Sequence, residues 1–227
     1  MGQFVILVAP TGHLGGMTSS GLGWTDIGND KILGGLSREF YHRVYQHYQQ
    51  DEAWTQQERG IYAEMKGQGV PAFNKENELA SVFEPKVAEA VFDAMAAEAG
   101  FKIIHGRLDL EDGVMKLGRR MTSIRLEDDT TIQGRMSIDA SYEGDLLPRA
   151  GVSYVMGRES NADLLVPWAL SATHIAFGSI RMEPVFMVLG QSAATAAAQA
   201  IEAGIPVQQV NYSKLRPRLL ADGQKLD

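Results

Sequence analysis

An apolar run, Phe4–Val8, empties directly into "GHLGGMTSSGLGWTD", Gly12–Asp26, which holds five glycines in fifteen residues. A segment so poor in side chains cannot pack a core, and ordering it carries a high conformational entropy cost. The core must therefore come from elsewhere in the chain. The loop itself needs a reason to be glycine, and close approach of bare backbone to a flat or charged group is one. The run before it has no polar interruption and predicts a short strand buried on both faces, as in parallel sheets.

Periodicity supplies the next elements. Leu36, Phe40, Val44 and then His47 or Tyr48 recur at helical spacing, which predicts an amphipathic helix from Leu36 to Tyr48. Gln49–Asn77 is polar and broken by Gly60, Gly67, Gly69 and Pro71, so it reads as loop and turn with one helical piece. Pro85–Ala99 is the clearest helix, with proline at its first position, Val87, Val91 and Met95 on one stripe, and Gly100 as terminator. Phe101–His105 reads as a strand. Asp112-Gly113 is a hairpin signal, and Met121–Leu126 and Thr130–Asp139 continue as strands across the turn-prone Glu127–Asp129. These strands predict a β-meander ending in "MSIDASYEGDL". Pro184–Ala203 reads as a helix of small residues closed by Gly204, and Asn211–Leu220 as a last short helix. The order is that of a mixed α/β chain with an antiparallel insertion after a parallel element.

Composition narrows the function classes. With 21 basic against 28 acidic residues the formal charge is −7, which argues against a nucleic-acid or anionic-membrane partner. No cysteine is present, so thiolate metal sites, disulfides and thiol nucleophiles are excluded. His42 and His47 are badly spaced for a shared metal, and no His/Asp/Glu cluster has ligand spacing, so no metal is expected. Ser20 lacks the G-x-S-x-G setting of a nucleophile elbow. The first residues have no basic stretch and too short an apolar run for a secretory signal, which leaves the compartment open with the cytoplasm as the default expectation. The apolar tract Val185–Ala203 is interrupted by Gly190, Gln191, Ser192, Thr195 and Gln199, so a membrane span is not expected.

Three stretches in this order carry a resemblance: "GHLGGMTSSGLGWTDIGN" (Gly12–Asn29), "SIDASYEGDLLPRAGVSYVMGRES" (Ser137–Ser160) and "LSATHIAFGSIRMEPVFMVLGQSAATAAAQAI" (Leu170–Ile201). Together with "FEPKVAEAVFDAMAAEAG" and "LLADGQKL" they resemble FAD-dependent oxidoreductases of the two-dinucleotide-binding-domain type, some of which carry a xanthan lyase label. The resemblance covers most of the chain. It implies a partial FAD/NAD(P)-binding, Rossmann-like domain over 1–160 with an inserted antiparallel β-meander, and a segment, 161–227, that returns to it. It also implies FAD as cofactor and hydride exchange with a small-molecule substrate.

Three departures bear on that expectation. No GxGxxG occurs in the chain. The position of the ribose-binding acid at the end of the second strand falls on Ala9, which offers no acceptor. Finally, Gly157-Arg158-Glu159-Ser160 reaches Pro167 across only six residues, where family members carry a large substrate-domain segment. The resemblance therefore implies a chain shortened at its start and inside. The lyase label finds no residue set resembling a uronate-binding base and cation cluster.

By the same resemblance Gly15, Gly16, Met17, Thr18 and Ser19 lie against FAD, the glycines letting backbone N–H groups approach without Cβ obstruction. The plainer reading is a surface turn. Asp145 could accept from a cofactor hydroxyl, against a plainer reading in which Asp139 and Asp145 bond only local backbone. An unperturbed histidine changes charge near neutrality, and Arg181 is a fixed cation suited to a reduced flavin, so His174 and Arg181 are the catalytic candidates. A satisfied structural histidine and a surface ion pair are the alternatives. Glu183, Pro184 and Val185 open a helix whose free N–H groups and dipole favour negative charge. Two rival readings stay open: a remnant that binds no FAD, and a module completed by a partner, including a homo-oligomer, through an unpaired sheet edge.

Overall fold

The computed structural model describes residues 3–66, 69–153, 176 and 180–226. Helix and sheet are mixed, as an α/β chain requires. Strand β1 (Ile6–Ala9) leads through the glycine loop to helix α1 (Gly35–His47), a short helix α2 (Arg59–Glu64), a small hairpin of β2 (Phe73–Asn74) and β3 (Leu79–Ala80), and helix α3 (Pro85–Ala99). Strand β4 (Lys102–His105) then returns parallel to β1, with Ile6 opposite Lys102 and Ala9 opposite His105. An antiparallel sheet follows in chain order, β5 (Val114–Leu117), β6 (Arg120–Arg125) and β7 (Thr131–Gln133). One turn of helix, α4 (Leu146–Arg149), precedes the long α5 (Glu183–Ala203) and α6 (Tyr212–Ala221).

The core sits between helices. Phe40, Tyr41 and Val44 of α1 are sealed from solvent, as are Val87 and Ala88 of α3. Phe40 stacks on Phe92 with ring centroids 4.5 Å apart and meets Phe83 and Tyr41 edge-on. The aromatic packing continues through Tyr45 on Phe73 at 4.4 Å to Tyr62, Tyr48 and Trp54. Each large apolar side chain buried this fully contributes about 1.5–3 kcal/mol. Burial pushes the Tyr41 and Tyr62 hydroxyls far above their ordinary range, and Tyr48 up to about 12.

Several expectations need correcting. The predicted strand Phe4–Val8 forms as Ile6–Ala9, and it is not buried on both faces: Phe4 is 83% exposed, Val5 is 48% exposed, and only Ala9 is buried. Among the described residues β4 is the one partner of β1 in a two-stranded sheet. The strand expected at Phe101–His105 forms as Lys102–His105 and pairs parallel with β1, ahead of the antiparallel strands. Asp112-Gly113 does not make the hairpin, because the Asp109 carboxylate takes the N–H groups of Glu111 and Asp112 and shapes a wider turn. The hairpin turns instead at Gly118-Arg119, between β5 and β6, where Gly118 has φ +61°. Strand Thr130–Asp139 is cut to Thr131–Gln133. The polar stretch Gln49–Asn77 holds core residues: Tyr62, Val70, Ala72 and Phe73 are all buried.

The C-terminal segment is tied back to the start of α1. Gly35 N–H donates to Gly223 O at 2.8 Å and Leu36 N–H to Gln191 Oε1 at 3.0 Å. Buried Gln224 bonds Val188 O and the Ser192 hydroxyl, and the Lys225 ammonium donates to Lys31 O. Helix α5 packs on α1 and α6. By length and composition alone α5 would also suffice to cross a membrane, and only 28% of its apolar window is buried. The expected division at 160/161 lies outside the described residues.

Candidate functional site

The glycine loop folds as a bend followed by one wide helical turn, Thr18–Leu22, packed on α3. Gly15 has φ +98° and Gly16 φ +56°, a region that L side chains rarely adopt. The loop uses both glycines for close approach, but to the protein's own aromatics. A Cβ on Gly15 would lie 2.3 Å from the Phe92 ring, and one on Gly16 would lie 2.3 Å from the Tyr142 hydroxyl.

Tyr142 joins two of the sequence motifs. Its hydroxyl oxygen accepts from Met17 N–H at 2.6 Å, so the "DASYEGD" turn sits directly on the glycine loop. The turn is held by Asp139, whose carboxylate accepts from the Ser141 N–H and hydroxyl at 3.0 and 2.7 Å and from Leu146 N–H at 3.1 Å. Asp139 thus takes the local-backbone role. Asp145, at the start of α4, makes no side-chain cap and is half-buried. Sequence reasoning passed over Tyr142, although it is the turn's one aromatic residue.

Within the loop the hydroxyls are mostly engaged. Ser19, buried, donates to Leu14 O, and Ser20 donates to Gly16 O at 2.6 Å. Thr18 is also buried, while Met17 is half-exposed. His13, ahead of the glycines, pairs through Nδ1 with Glu89 of α3, and that hydrogen bond raises its pKa above the ordinary histidine value.

The far end of the glycine segment meets the start of α5. Arg181 pairs with Asp26 at 3.4 Å, and the Tyr41 hydroxyl donates to Thr25 Oγ1 at 3.2 Å. Glu183 is half-buried; burial raises its pKa, with Asp26 adding to the rise and both its own backbone N–H and Arg181 opposing it. The expected free N–H groups at Glu183, Pro184 and Val185 are not available as a set. Pro184 has none, Val185 N–H donates to Met182 O at 3.0 Å, and the Glu183 N–H faces its own carboxylate. His174 lies outside the described residues. Two open surface depressions lie elsewhere among the described residues, one at Arg120, Thr122 and Gln133–Arg135 and one at Trp54–Arg59.

The chain matches the family described as FAD dependent oxidoreductase over residues 1–165 and again over 162–219. It belongs to that family. No curated protein and no solved structure matches it. In this FAD-dependent oxidoreductase family member the half-exposed Met17 follows two residues without side chains, and its N–H is engaged by the Tyr142 hydroxyl. Arg181 adds a cation at the other end of the segment, already shared with Asp26.

Proposed function

We propose that this chain is a flavoprotein oxidoreductase in which FAD exchanges hydride with a small substrate. The parallel β1–α3–β4 unit is then what remains of a Rossmann-like dinucleotide-binding domain, and the β5–β7 sheet is its antiparallel insertion. The observation that carries the reading is the Met17–Tyr142 contact, through which two cofactor-side motifs distant in sequence line one place. FAD, when bound, supplies the redox chemistry, and the protein's part is to bind and orient it. Here that part falls to the Met17 N–H, with Arg181 available to a developing negative charge, and to Asp145, Glu183, Pro184 and Val185 as flanking contacts. His174 is proposed as the group that exchanges a proton with substrate.

The two family matches meet at residues 162–165, inside the short Ser160–Pro167 junction. That coincidence supports an internal shortening at the place where the substrate segment would stand. Purified protein should show flavin absorbance, or added FAD should be quenched in fluorescence and raise Tm. Colourless protein that does neither rejects the reading for this chain.

A second reading has its own observation. The edge of β1 that has no partner among the described residues, with Phe4 and Val5 exposed, favours a module completed by another chain.

A further inference from the structure

Met17 lies half-exposed in the glycine loop, and its N–H already has an acceptor. Tyr142 places its hydroxyl 2.6 Å from that nitrogen and in the space beside Gly16 where a Cβ would otherwise be. The contact is not a buried strut: Tyr142 is 47% exposed and Met17 50%. Nor does the ring drift there by chance, because the three hydrogen bonds to Asp139 fix the turn that carries it.

A backbone N–H donates well to one partner at a time, and an unpartnered one is unfavourable only where water cannot reach it. Here solvent can. A ligand oxygen that is to use this N–H must therefore displace the phenol, not merely add to it. We propose that Tyr142 is a latch on the glycine loop, competing with an oxygen of the bound flavin nucleotide for the Met17 N–H. This rests on the flavin reading above. Its consequence is that the loop is preorganised before ligand arrives, at the expense of affinity. A ligand gains only the difference between its own hydrogen bond and the phenol's.

Tyr142→Phe keeps the ring and removes only the competing oxygen. Two measurements on wild type and variant separate the possibilities: amide hydrogen exchange in the peptide Leu14–Ser20 without ligand, and FAD titration followed by fluorescence quenching. The expected result is faster exchange in the variant together with FAD bound about five-fold more tightly, the factor of one ordinary hydrogen bond. Unchanged exchange overturns the latch itself. Faster exchange with equal or weaker FAD binding overturns the competition. Faster exchange with no FAD binding in either protein overturns the flavin reading and the competition with it, leaving only a structural contact.

Discussion

Gly15 and Gly16 show what a glycine loop can and cannot say by itself. Their backbone angles and close approaches require glycine, and the groups approached are Phe92 and Tyr142. Sequence spacing reveals the need for bare backbone but not its neighbour, since Tyr142 lies 125 residues from Met17. Charge complementarity of Asp26 and Arg181, 155 residues apart, was equally invisible. Glu183 gives a pH prediction. Its folded pKa is raised, so the stability it carries is full below the ordinary carboxyl range and falls as pH rises from there through the folded value. Glu183→Gln should therefore gain Tm on wild type as pH rises from 4 to 7, the two converging in acid. A gap that instead widens in acid would show that the carboxylate is stabilised in the folded protein.

At the scale of elements, helices were legible and strands less so. Helix α3 runs from Pro85 to Ala99 as its proline, stripe and Gly100 predict, because those signals are local. The hairpin moved where a side chain took backbone N–H groups, as Asp109 does at Glu111 and Asp112. The loop Gln49–Asn77 hid Tyr62 and Phe73 because isolated aromatics have no period to detect. The joint between α1 and α3 hangs on Phe40, which touches Phe83, Phe92 and Tyr41. Phe40→Ala should cost about 3–5 kcal/mol in urea unfolding. A loss below 1 kcal/mol would mean that the helices meet by other contacts.

For the whole molecule, the core and the parallel sheet are separate. The aromatic centre is enclosed by α1, α3 and the β2–β3 hairpin, while among the described residues β1 pairs on one side only. No Lys or Pro guards Phe4–Ala9, the usual means of blunting an edge. Light scattering should show concentration-dependent association, and Val5→Lys should abolish it. A monomer at every concentration would remove the partner-completed reading.

The ties between the C-terminal segment and α1 have a temporal side. Lys225 and Lys31, joined by a hydrogen bond, are 194 residues apart. Chains emerge from the ribosome N-terminus first. The helix carrying the aromatic centre is thus synthesised long before the residues that seal its opening turn. Until Gln191 and then Gly223 are out, the amides of Leu36 and Gly35 lack these acceptors, so the nascent protein can gather its aromatics early but can close its first helix only late.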